Sequence, residues 1–316
     1  MPSPALRCSR SVSRPLAAAL LAACAASPVC AQSQPNAEPS GVERAQDQTT
    51  ANAPVIEPLE SDWTIRLEPY VGYIAPAGDL RLPSATTRGG EIELTDLNLD
   101  SPNLVPTGRI QARRGKWTIG FSGLAFNADD RGSTQTASGQ LGGVAIAPGD
   151  RLVSDLSYES FDLLVSYRFW QHTSETNASG RTRLSAGLDA VGGLRFHHAD
   201  FDIRNSPAVA PAPGAVLNAS ADEFFAEPVL GLRLDLAFDE RFGIEVESVA
   251  GGFGSGDRSS GSFSIDAGFA YRPVHWAGVK VGYRLLVFGL NDGEGAEEFD
   301  WSGSMAGLYF GGQFSF

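Results

Sequence analysis

Residues 224–250 read FFAEPVLGLRLDLAFDERFGIEVESVA, and this stretch decides the fold. Phe224, Leu230, Leu232, Leu234, Leu236 and Phe238 recur at a period of two, with Glu227, Arg233 and Asp235 on the alternate positions. Successive side chains of a strand point to opposite faces, so the segment is an extended strand with one apolar and one charged face. After Asp239-Glu240-Arg241 the alternation resumes, with Phe242, Ile244, Val246 and Ala250 against Glu245 and Glu247. The two runs predict a hairpin whose symmetric turn sets Arg233 opposite Glu247 and Asp235 opposite Glu245.

The same texture extends in both directions. Alternating runs occur near 63–73, 103–113, 117–125, 161–169, 184–196, 263–271, 279–287 and 307–316, so ten strands are expected, with eight as the alternative. Helical periodicity is not evident. The runs are longer than the five or six residues usual in globular sheets, and a tilted strand needs about 9–11 to cross a bilayer. Aromatic residues sit near the ends of the apolar faces (Trp63 and Tyr73, Phe161 and Phe169, Phe263 and Tyr271), where a barrel presents interfacial girdles. Connections at 76–102, 127–154 and 199–221 read as long, and those at 113–116, 239–241 and 272–276 as short. Long loops on one side and short turns on the other fit an all-β, transmembrane, antiparallel up-and-down β-barrel over residues 62–316.

Composition agrees and excludes much else. Of 316 residues, 19% are charged and 42% hydrophobic, with 36 Gly and 19 Pro, which rules out collagen, a coiled coil or a bundle of membrane helices. A formal charge of −13 makes nucleic acid an unfavourable partner. Residues 1–31 combine Arg7, Arg10 and Arg14 with an apolar run from Leu16 to Ala26 and a small-residue site at Val29-Cys30-Ala31, the plan of a secretory signal peptide cleaved before Gln32. Leu21-Ala22-Ala23-Cys24 offers a competing lipidation site at Cys24. Cleavage before Gln32 would remove Cys8, Cys24 and Cys30 together, leaving neither disulfide nor thiolate ligand. Residues 32–61 lack aromatic side chains and read as a disordered periplasmic linker.

The final run, Gly307-Leu308-Tyr309-Phe310-Gly311-Gly312-Gln313-Phe314-Ser315-Phe316, resembles the C-terminal strand of bacterial outer-membrane β-barrel proteins. The segments WTIRLEPYVGYIAPAG, from Trp63, and VKVGYRLLVF, from Val279, are similar to strands of the small OmpA-type barrels. The resemblance implies a Gram-negative outer membrane, with both termini in the periplasm. It implies lipopolysaccharide and other outer-membrane lipids as surroundings, and recognition of Phe316, supported by Phe314, Phe310 and Leu308, by the outer-membrane insertion machinery. No peptidoglycan-binding segment follows the last strand, so wall tethering is not expected.

The inward faces carry eight acids against ten bases, Arg183 counted among them. Charges in a narrow barrel must pair or stay hydrated, so a lumen charge network is expected from Arg233, Glu247, Asp235, Glu245, Lys280 and Arg284. Either it plugs the lumen or it lines a porin-like path for small solutes. His197 and His198 are adjacent, so on a strand they face opposite ways and do not share a metal. The acidic stretch 292–300 departs from the EF-hand pattern and reads as a solvated loop or a loose site for divalent cations. No cofactor, catalytic residue or protein-bound metal site is predicted. The expected role is non-enzymatic: envelope structure, surface interaction or limited small-solute passage. Two rivals stay open: an outer-membrane lipid or ester hydrolase joining His197 or His198 to Asp200 and a loop serine, and a lipid-anchored or soluble periplasmic β-protein.

Overall fold

The computed structural model describes residues 63–85, 88–175 and 182–316. The signal-peptide, lipidation and linker expectations for residues 1–61 lie outside them.

Ten long strands form one closed ring. They are β1 (Thr64–Arg81), β3 (Asn103–Arg114), β4 (Trp117–Thr134), β7 (Arg151–Thr173), β8 (Leu184–Ser206), β9 (Asn218–Phe238), β10 (Phe242–Ser255), β11 (Arg258–Val274), β12 (Ala277–Asp292) and β13 (Phe299–Ser315). Each pairs antiparallel with its chain neighbour, and β13 pairs with β1 from Arg66↔Ser315 to Arg81↔Asp300. The seam is finished by reciprocal backbone bonds between Ile65 and Phe316, at 3.0 and 2.9 Å. Closure joins the first and last strands so that the sheet has no free terminal strand, which is what a sheet in hydrocarbon requires. The eight-strand alternative falls, because each of the ten predicted runs occupies its own place in the ring.

The outer surface carries the apolar faces. Ile65, Leu67, Val71, Ile110, Ile119, Phe121, Leu163, Val165, Leu230, Leu232, Val281 and Phe310 are all exposed. Toward the short-turn end the belt closes on Trp63, Trp117, Tyr167, Phe238, Phe242, Tyr271 and Trp276, and toward the long-loop end on Tyr73 and Phe224, with the half-buried Phe161 at the same edge. Soluble proteins do not leave a continuous apolar girdle of this size in water, so the belt is a membrane-facing surface and the soluble rival is set aside.

The long connections are shorter than the sequence suggests. β7 and β8 have 23 residues each and run well past the belt, more than twice what a crossing needs. The reason is an inversion of polarity. In β7, above the belt, Asp155, Ser157 and Glu159 point outward, whereas Leu152, Leu156 and Tyr158 are buried inside. In β8, Asp200, Asp202 and Arg204 face out while Ala199, Phe201 and Ile203 face in. The period of two is unbroken, but outside the bilayer the wet face is the outer one.

Two small additions cap this upper barrel. β2 (Ile92–Glu93) pairs with β1, and β5 (Gly139–Leu141) pairs with β6 (Val144–Ile146). Gly142 and Gly143 join the latter pair with φ of 52° and 83°, the left-handed geometry a two-residue hairpin turn requires. Leu94, Leu97, Leu99, Leu141, Val144 and Ile146 fold inward onto Phe126, Leu152, Phe201, Phe225, Phe299 and Trp301 in one buried cluster.

Deleting Phe316 removes both seam bonds to Ile65 and the terminal aromatic. Outer-membrane yield of the heat-modifiable form is expected to fall several-fold on a denaturing gel, and an unchanged yield would set aside the role of the terminal residue in closure.

Candidate functional site

The lumen is the candidate site, and its membrane-embedded half is filled by charge. The register sets Glu247 opposite Arg233 and Glu245 opposite Asp235 across β9 and β10. Arg233 Nε donates to Glu247 Oε2 at 2.8 Å. Glu245 and Asp235 carry like charge, so each turns to a cation. Arg109, on β3 across the barrel, donates to Glu245 at 2.5 Å and to Glu247 at 2.7 Å. Arg168 spans Asp189, at 2.6 and 3.1 Å, and Asp235.

Lys280 lies 3.5 Å from both Glu68 and Glu245, and Gln313 and Tyr70 donate to Glu68 as well. Arg284 meets Asp266 at 2.8 Å, and Tyr309 donates to the same carboxylate at 2.7 Å. All six residues of the expected network are thus drawn into ion pairs, in a wider web that includes Arg109, Arg168, Asp189, Glu68 and Asp266. Arg183 is not part of it: it lies exposed in the β7–β8 connection, which corrects its inward assignment.

Above this layer the network narrows to one chain of contacts. Arg195 donates to Asp162 at 2.6 Å and to Ser262 and Ser264 at 2.8 Å each. Ser262 donates to Glu227, which lies 3.5 Å from His197 Nε2, and His197 Nδ1 is 2.8 Å from the Tyr158 hydroxyl. The Tyr158 ring leaves the polar layer, stacking on Phe288 at 5.2 Å and meeting Trp301 edge-on at 5.2 Å. Phe288 and Phe201 pack on Trp301 at 4.6 and 5.0 Å. The cavity among Arg109, Asp162, Arg195, Asp266 and Arg284 measures about 30 Å³, room for about one water.

The predicted histidine pair divides as the strand dictates. His197 is fully buried inside, and His198 is on the outer surface, 2.8 Å from Asp222 rather than joined to Asp200. Glu159, Phe161, Phe196, Phe224, His198 and Asp222 outline an outward cleft of about 350 Å³ where the belt ends. In the 292–300 stretch, Glu298 is held by Arg81 at 2.9 Å and Arg88 at 2.5 Å, and Asp292 lies 3.4 Å from Arg258. Among the described residues no cluster of three His, Asp or Glu side chains is arranged to hold a metal ion. Above the belt, burial and hydrogen bonding with Asp292 push Glu223 up to about 7, against the opposing pull of Arg258.

No protein-family model and no curated protein matches the chain. Among solved structures it is similar to the outer-membrane protease OmpT of Escherichia coli, at 11% identity and a TM-score of 0.44, over 80% of this chain and 97% of that one. It is also similar to Ail, the attachment invasion locus protein of Yersinia pestis, at 10% identity and 0.29, over 80% and 99%. The toluene transporter TodX of Pseudomonas putida follows at 10% and 0.26, over 79% and 89%. The small OmpA-type family is not singled out. The expectation of a non-enzymatic protein is corrected by the first of these likenesses: a protease is among the barrels this chain is similar to, so the architecture does not exclude catalysis. At such identity and score the likeness hands no protease site to this chain.

Two predictions follow from the charges. Arg109→Leu strips a guanidinium from two buried carboxylates and is expected to cost about 3–5 kcal/mol in urea unfolding from micelles. Arg204→Leu, which removes a solvent-exposed pair with Asp155, leaves the midpoint unchanged. Glu223 holds a proton in the folded protein that it releases when unfolded between its ordinary pKa, near 4.5, and about 7, so stability falls as pH rises through that window. Unfolding midpoints between pH 4.5 and 8 should show that fall, and Glu223→Gln should flatten it.

Proposed function

We propose that this chain is a sealed outer-membrane barrel that works at its cell surface, its short-turn end in the periplasm and its long-loop end outside. The observation that carries this reading is the double closure of the lumen: an ion-paired layer at membrane depth beneath an apolar core capped by Leu94, Leu97, Leu99 and the β5–β6 hairpin. A porin keeps an aqueous path, whereas a hydrated ion here would meet first paired charges and then Phe288, Trp301 and Phe201. With passage unsupported, the part of the molecule left to interact is the projecting upper wall. Asp155, Glu159, Asp200, Asp202 and Asp222 face outward there, an acidic surface suited to a cationic partner.

Planar-bilayer recordings in 1 M KCl are expected to show no stepwise conductance, and sustained open steps would overturn the seal. Cells displaying the barrel should retain a fluorescent oligolysine probe in a salt-sensitive manner. Replacing Asp200, Asp202 and Asp222 together by Asn should reduce that retention several-fold, and equal retention would overturn the surface reading.

A further inference from the structure

The charge network is balanced at its centre and unbalanced at its short-turn mouth. A cavity of about 200 Å³ opens there, its cations Arg66, Arg113, Arg168, Arg272 and Lys280 facing only Asp235 and Glu245. Both carboxylates are already engaged, Asp235 by Arg168 and Glu245 by Arg109 and Lys280. Arg66 reaches its carboxylates only at 3.7–3.8 Å. Among the described residues, Arg113 and Arg272 form no ion pair at all. Arg113 Nε donates to the Gly115 carbonyl at 3.1 Å, and Arg272 Nε is buried with no hydrogen-bond partner. On the adjoining wall, beside Arg66, Arg113 and Arg168, Gln111 Nε2 is a second buried donor with no acceptor.

The backbone makes room for these guanidinium groups. A Cβ on Gly243 would stand 2.8 Å from Arg272 Nη2, and one on Gly187 would stand 2.6 Å from Arg168 Cζ. The mouth is thus shaped around its arginines. Two unpaired cations line one concave site, with an unsatisfied donor inside it at Arg272 Nε and another on the adjoining wall at Gln111 Nε2, and this set asks for an acceptor with two negative charges.

We propose that the short-turn mouth of the barrel is a binding site for a compact, water-soluble dianionic oxyanion, phosphate or a phosphomonoester, held by Arg113 and Arg272 with Arg66 and Gln111 at its edge. Guanidinium forks match phosphate oxygens bidentately, and a half-buried site strengthens each contact relative to open water. The paired strands wall the site off from the bilayer, so its ligand arrives from the aqueous side. The site is independent of the seal and of the acidic outer wall, and its failure would leave both readings standing.

Equilibrium dialysis of inorganic phosphate against the full chain in zwitterionic micelles tests this. Saturable binding is expected, weakened at least tenfold in the Arg113→Gln, Arg272→Gln double variant and unchanged in Arg204→Gln. Acetate and chloride at matched ionic strength should compete at least tenfold less well than phosphate. Absence of saturable binding to the unaltered chain, or equal binding by the double variant, overturns the site. Should the double variant fail to assemble, Arg272→Gln alone serves, with a several-fold loss expected and an unchanged affinity counting against the site. Glycerol 3-phosphate should outcompete a short-chain phosphatidic acid, and the reverse order overturns the assignment to a water-soluble ligand.

Discussion

Everything in this molecule depends on the pairing of β1 with β13. Inside a bilayer no water is present to satisfy a backbone N–H or C=O, and an unpaired group costs several kcal/mol, so a sheet that crosses must close on itself. The register from Arg66↔Ser315 to Arg81↔Asp300 does this, and the reciprocal bonds between Ile65 and Phe316 carry it to the last residue. An even number of antiparallel strands brings both ends of the ring to one side, with the short turns. Closure also creates an inside, and whatever faces it is cut off from bulk solvent. This is why Arg109, Glu245, Glu247 and Arg233 are found as a web and not as single charges, since each would be costly alone in so narrow a space.

A second consequence is that one strand serves two solvents. In the bilayer the outer face must be apolar and the inner face takes the polar residues; above it the outer face meets water and the inner face becomes an ordinary protein core. β7 makes the change between Phe161, the last belt aromatic, and Glu159, the first outward acid, while the inner face passes from Asp162 through Ser160 to Tyr158. β8 makes it at the same height, where the inward His197 meets Tyr158 and the outward His198 follows Phe196. The Tyr158–His197 contact is therefore the joint between two cores of opposite character. Tyr158 suits the place because its hydroxyl belongs to the polar layer and its ring to Phe288 and Trp301.

This explains what could be read in the sequence and what could not. The ten membrane runs were legible because greasy-out, polar-in alternation is regular there, and the Arg233↔Glu247 and Asp235↔Glu245 register followed from a short turn alone. The outer ends of β7, β8 and β9 read as loop in the sequence because their apolar positions, such as Leu152, Phe201 and Ile203, sit on the opposite phase and are interspersed with acids. A search for a period of two that allowed the phase to slip would have found them. The web's cross-barrel partners were not legible at all. Arg109 meets Glu245 and Glu247 from strands far apart in sequence, and that contact depends on barrel diameter and stagger, which no local pattern encodes.

The distribution of charge follows from the same architecture. Acids gather on the outward upper wall, where they are solvated and only some are paired, as Asp155 is with Arg204 and Asp222 with His198, while the centre of the lumen admits charge only in balanced sets. The short-turn mouth is intermediate: open to water on one side and lined by the network on the other, it can hold an excess of one sign without the full cost of burial. Arg113 and Arg272 occupy that position, at the last inward-facing places of β3 and β11 before the turns. The apolar core above the network separates this basic mouth from the acidic outer wall, so the two surfaces lie at opposite ends of the barrel and carry opposite charge. A barrel that merely crossed the membrane would need neither surplus.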